Sequence, residues 1–175
     1  MLNILKSRFA YYLGDIIYGA NDGIITTFAV VSSAAGAGLG PAYVIILGIA
    51  NLIADGFSMG ASRYLSIKSE QTLEHGAQES GRSAMADGFM TFASFVVIGA
   101  FPLVPFVFAI SADSVFTISA IATATTLFLV GAARALVTTR GFFVSGLEML
   151  VVGGVAAGLA YGLGAFVTAA LGVSL

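Results

Sequence analysis

AYVIILGIANLIADGFSMGASRYL, residues 42–65, is an apolar run interrupted by only two charges, Asp55 and Arg63. A helix needs roughly 20 residues to cross the ~30 Å hydrocarbon layer of a bilayer. In lipid every backbone N–H and C=O must be satisfied within the segment, so such a run reads as a membrane-spanning helix. Working outward, GLGPA at 38–42 is an uncharged Gly-Pro turn, and residues 13–38 before it form another span. After it comes SIKSEQTLEHGAQESGRSAMAD, residues 66–87, the one sizeable polar segment. Beyond that, 88–110, 115–133 and 147–172 each reach spanning length, with RALVTTRGFFVS (134–145) between the last two.

The composition agrees. The chain is 58% hydrophobic and 9% charged, with a mean hydropathy of +1.01. A soluble domain carries about a quarter charged residues. Its 22 glycines suit helices that approach closely in a membrane. With no cysteine, disulfides, thiolate metal sites and cysteine nucleophiles are excluded. The start, MLNILKSRFAYYLGD, leads into an apolar stretch too long and too marked by Gly and Asp for a cleaved signal, and is expected to stay as the first span.

The basic residues test the span count. Lys6, Arg8, Arg63, Lys68, Arg82, Arg134 and Arg140 all fall on one side if five spans alternate, and the other side has none. The positive-inside rule then sets the orientation. The expected fold is an all-α integral membrane protein with five transmembrane helices, N-terminus inside and C-terminus outside. It forms a single domain over 1–175, with a short cytoplasmic segment at 66–87. Pro102 and Pro105 in FPLVP should bend or break the third span near its outer end. Gly154, Gly158 and Gly162 recur every four residues and are read as a packing strip in the fifth.

An ionisable side chain inside a span costs at least ~2.5–3.5 kcal/mol on insertion scales, so each needs a reason. Asp15 and Asp22 in GDIIYGANDGIITTF are two helical turns apart and share a face, with Tyr18 and Asn21 close by. In the second span Asn51, Asp55 and Met59 form one stripe at four-residue spacing. Two helices thus each present an oxygen-rich face, and one adds a thioether. Oxygen donors suit hard and borderline divalent cations, and a thioether favours Fe²⁺ or Mn²⁺ over Mg²⁺ and Ca²⁺. The plainer alternatives are that Asp55 pairs with Arg63 and that Met59 fills core space. Glu70, Glu74 and Glu79 lie beyond the second span with His75; they either collect metal at a cytoplasmic entrance or form a solvated helix face. Glu148 is read as interfacial.

These residues carry a resemblance. DIIYGANDGIITTFAVVSSAAGAG, ANLIADGFSMGASRYLSIKSE, GAFPLVP and GLEMLVVGGVAAGLAYGLG, in that order, resemble the vacuolar iron transporter family over nearly the whole chain. The resemblance implies five spans, a homodimer, and exchange of Fe²⁺, often also Mn²⁺, for protons along a path at the dimer interface lined by the first two spans. It implies that Asp22 is the central acidic residue of span one, Asp15 the acidic residue two turns earlier, and Met59 the methionine of span two. Asn51 falls where well-studied members have glutamate, and Asp55 stands one turn away to replace that charge. Those members also insert a long metal-binding domain between spans two and three, where this chain has only the 66–87 segment.

No resident cofactor is expected, since Fe²⁺ or Mn²⁺ is cargo. The expected partners are the lipid bilayer, a second copy of the chain, divalent metal ions and protons, with no nucleic acid. A non-transporting scaffold or assembly subunit is the main alternative. A membrane-embedded metal-dependent transferase is a weaker one, because DGFSMGASRY is not followed by the spaced aspartates such enzymes need. An enzyme is therefore not expected. The one-sided charge distribution suits a bacterial inner membrane.

Overall fold

A computed structural model describes residues 2–73, 83–108, 112–136 and 138–172. All regular structure in these residues is helical. Helices α1 (Leu2–Gly36) and α2 (Pro41–Leu73) are followed by α3 (Ala84–Gly99), the short α4 (Val104–Val107), α5 (Ala112–Ala133) and α6 (Phe142–Leu171). One-turn 3₁₀ segments occupy Phe101–Leu103 and Arg134–Leu136.

Four stretches are long and apolar enough to cross a membrane: Pro41–Leu73, Ala84–Val107, Ser114–Leu136 and Phe142–Leu171. Helix α1 has the length, at 35 residues, but its Asp, Asn, Thr and Ser residues lower its hydropathy. Its position explains that polarity. It packs against α2, α3, α5 and α6 and is the hub of the bundle, so much of its surface meets protein. Both α1 and α2, at about 50 Å by the rise per residue, outreach the hydrocarbon layer. The helix begins at Leu2, well before the expected edge at residue 13.

Glycine sets how closely the helices cross. A Cβ on Gly99 of α3 would meet the backbone of Gly23 of α1 at 2.8–2.9 Å, and a Cβ on Gly88 would lie 2.7 Å from the Gly60 carbonyl oxygen of α2. Helix α3 is thereby wedged between α1 and α2, and Phe95 (0% exposed) fills the space beside the crossing. The expected strip of α6 lies elsewhere. A methyl group placed on Gly154, Gly158 or Gly162 would have no neighbouring atom within 4 Å, whereas Gly164 sits on the Ser33 carbonyl of α1 and Gly146 on Phe128 of α5.

The prolines act as their chemistry requires. Helix α3 ends at Gly99, the chain takes a 3₁₀ turn through Pro102, and α4 starts just before Pro105. A carbonyl left over at such a break needs a donor. Ser119 of α5 supplies one to the Pro102 carbonyl at 2.6 Å, from a fully buried position.

Candidate functional site

The face shared by α1 and α2 holds the residues singled out above. Asp22 and Asp55, on neighbouring helices, are close enough for each carboxylate to lie in the other's field. Both are half-buried, as are Asn51 and Met59 on the same stripe of α2. Met59 packs on the edge of the core cluster around Phe95 and Leu52. The backbone holds Asp22 in place: Gly23, the next residue, presses α1 onto the Phe95 backbone, and Thr26 donates to the Asp22 carbonyl at 2.9 Å. Asp55 is likewise followed by a glycine, Gly56, seated against Phe95 and Val96. Each carboxylate therefore sits beside a close helix contact that fixes its backbone.

Towards the far end of the two helices a cleft of about 510 Å³ opens between them. Val30, Ser33, Leu39, Leu47, Asn51 and Ala54 are among its lining residues. Asn51 reaches it with a buried side-chain nitrogen that has no hydrogen-bond partner. Towards the other end Arg63 of α2 meets Asp15 of α1, Nη2 to Oδ1, at 2.7 Å. The alternative partner for Arg63, Asp55 on its own helix, is not the one it takes. Asp55 and Arg63 are two turns apart along α2, about 12 Å, while Asp15 faces Arg63 across the helix pair.

Asp87 was missed by sequence reasoning. It lies in the first turn of α3, is 0% exposed, and its charge acts on Asp15. A signal existed: Asp87-Gly88 repeats the Asp-Gly pair of 22–23 and 55–56. Reading residues 66–87 as one hydrated segment hid it.

Glu70, at the end of α2, accepts from Ser66 at 3.2 Å on an exposed surface. Glu74 and Glu79, with His75, lie outside the described residues. Glu148 of α6 lies within 3.5 Å of Arg134 and 3.3 Å of Arg140, which ties the start of α6 to the chain before it. Among the described residues no three His, Asp or Glu side chains converge as a metal-holding group. The candidate site of one chain is thus two carboxylates, one on each helix and within reach of each other's field, with an amide and a thioether on the same stripe of α2. It is open on the side of α1 that bears Tyr18, which is 62% exposed.

Four membrane-length helices, with a carboxylate on each of two neighbouring helices, define an integral membrane protein with charge inside its helix bundle. The family model described as the VIT family matches residues 13–83 and 72–165. The chain belongs to the VIT family. It is similar to a vacuolar iron transporter of Plasmodium berghei (strain Anka), 54% identical over 55 residues, which cover 31% of this chain and 20% of that relative. It is also similar to a vacuolar iron transporter of Toxoplasma gondii (strain ATCC 50861 / VEG), 23% identical over 232 aligned positions, covering 94% of this chain and 77% of the relative. Vacuolar iron transporter 2 of Oryza sativa subsp. japonica is 24% identical over 209 positions, covering 85% of each. Membership sets aside the transferase reading of the span-two Asp-Gly.

Proposed function

We propose that this protein transports Fe²⁺ across a membrane, with Mn²⁺ as a second cargo, in exchange for protons. The observation that carries the reading is the Asp22–Asp55 pair. Two carboxylates from different helices, each in the other's field at membrane depth, repel one another until a cation lies between them. Metal binds only the deprotonated carboxylate, so protons and metal compete for the same oxygens, which is the requirement for exchange. The names of the relatives supply iron as the cargo. Uptake of Fe²⁺ by vesicles containing the purified protein, above that of protein-free vesicles, is the expected result. Equal uptake would favour the scaffold reading.

The path in this proposal runs at the interface of a homodimer, along the face of α1 that bears Tyr18 and the half-buried Asp22. One chain offers too few donors to enclose a metal, and a second copy facing the first doubles the set. Asp22, Asp55, Asn51 and Met59 are the central ligands. Asp15 serves the inner end of the path, and Glu70, Glu74 and Glu79 its cytoplasmic approach. The family model matches in two pieces that meet within the 66–87 segment, which fits a shortened connection there.

The proposed topology has five spans, α1 included, with the N-terminus and all seven basic residues in the cytoplasm, as in a bacterial inner membrane. Reporter fusions should therefore place the two termini on opposite sides. Both termini on one side would remove α1 from the membrane and overturn the orientation.

Met59→Leu should weaken Fe²⁺ and Mn²⁺ affinity by about one to two orders of magnitude, the scale of losing support at a metal site. Leucine keeps volume and apolarity, so the loss would isolate the sulfur. Unchanged affinity in a titration would return Met59 to core packing.

A further inference from the structure

Asp15 and Arg63 make an unusual contact for a buried ion pair. The guanidinium touches the carboxylate through one nitrogen, Nη2 to Oδ1 at 2.7 Å, with the Asp15 side chain 8% exposed and that of Arg63 28% exposed. The other carboxylate oxygen, Oδ2, and the guanidinium Nε are both buried without a hydrogen-bond partner. The tight form of this pair is a two-point fork in which both oxygens and two nitrogens are satisfied. Here one carboxylate oxygen and the guanidinium Nε are left unused, and an unused buried oxygen is costly. Asp87 of α3 adds the field of a second carboxylate to the same place. This end of the path therefore attracts a cation more strongly than one guanidinium nitrogen satisfies.

The opposite end differs. Ser33 is 18 residues from Asp15 along α1, about 27 Å. There α1 and α2 part around the 510 Å³ cleft, which reaches inward to Asn51. Between the two ends lie Met59 and the Asp22–Asp55 pair. The path is thus bridged at one end by an ion pair between its two walls and open at the other.

We propose that Arg63 is the cytoplasmic gate of this path: it occupies Asp15 and joins α1 to α2, and a divalent metal ion opens the end by taking its place on the carboxylate. The inference rests on the transport reading for what passes, but the closure itself is a property of the ion pair. A tethered guanidinium has a high local concentration at Asp15. A monovalent ion brings no greater charge, so it displaces Arg63 poorly. A doubly charged ion gains twice the attraction to Asp15 and to Asp87. Once the metal moves on to Asp22 and Asp55, Arg63 returns and closes the end behind it.

The chain has no cysteine, so a single introduced thiol reports access without background. In vesicles exposing the cytoplasmic face, Met59→Cys is labelled with a membrane-impermeant thiol reagent, alone and combined with Arg63→Gln, Asp15→Asn or Arg63→Lys. Removing either charge takes away the bridge between α1 and α2, so Arg63→Gln and Asp15→Asn should each speed labelling about tenfold or more. Arg63→Lys, which keeps the cation, should stay near the parent rate. Val31→Cys, fully buried in the core, should remain unlabelled in every background. Equal labelling at position 59 in all backgrounds overturns the gate. So does acceleration at positions 59 and 31 together, which is loosening of the whole bundle. Labelling needs no flux, so a protein that fails to move Fe²⁺ contradicts the transport reading without deciding the gate.

Discussion

Asp22→Asn is expected to lower Fe²⁺ flux by about two orders of magnitude or more, with insertion and expression intact. Changes in the surroundings of a metal ligand already cost about 10- to 100-fold, and a ligand's own charge is worth at least as much. Asparagine keeps the size of the side chain and one oxygen. It removes the charge that gives a cation a reason to enter the space beside Asp55. Asp22 is half-buried and its carbonyl is held by Thr26, so the substitution should leave the backbone of α1 in place. Full flux in Asp22→Asn, at matched protein in the membrane, would remove the residue from the path.

Asp55→Asn should be similarly severe, about one to two orders of magnitude. The second helix then has no carboxylate facing Asp22. Adding Asn51→Glu to Asp55→Asn should restore part of the transport. Position 51 is one turn from 55 on the same stripe, about 6 Å along the axis, and glutamate is longer by one methylene. The pairing of Arg63 with Asp15 sharpens this test. A purely structural Asp55 held by Arg63 would make Arg63→Ala as damaging as Asp55→Asn. With Arg63 engaged by Asp15 at the gate, Arg63→Ala should leave Fe²⁺ able to run down its own gradient, where Asp55→Asn stops that downhill flux as well. Downhill flux measurements on these three variants and the parent separate the cases: equal damage from Arg63→Ala and Asp55→Asn, with no rescue from position 51, contradicts the role given to Asp55.

Much of this arrangement is legible in the sequence, for reasons that differ by residue. Asp22 and Asp55 can be found because charge in an apolar run is conspicuous and helical periodicity fixes which residues share a face. The break at Pro102 and Pro105 follows from a missing donor and needs no tertiary information. The glycine strip of α6 shows where periodicity stops. Four-residue spacing places Gly154, Gly158 and Gly162 on one face, but in a helix apolar all round nothing says which face meets a neighbour. The contacts go to Gly164 and Gly146 instead. Arg63 shows the same gap for charge, because a partner across a helix pair competes with one on the same helix. Helix α1 falls short of the hydropathy of a span because it is the hub of the bundle, and only its neighbours reveal that. Asp87 was hidden by its place at the edge of a polar segment, although it is fully buried and its charge acts on Asp15.

The exchange of iron for protons is tested most directly by asking whether a pH gradient alone can move Fe²⁺ uphill. Vesicles containing the purified protein are loaded with Fe²⁺ equal to that outside, under reducing conditions, and a pH gradient is imposed. The account predicts net Fe²⁺ movement towards the more acidic side, and its loss when an ionophore collapses the gradient. Fe²⁺ that only runs down its own gradient, at a rate indifferent to the pH difference, would contradict exchange and make the protein a channel.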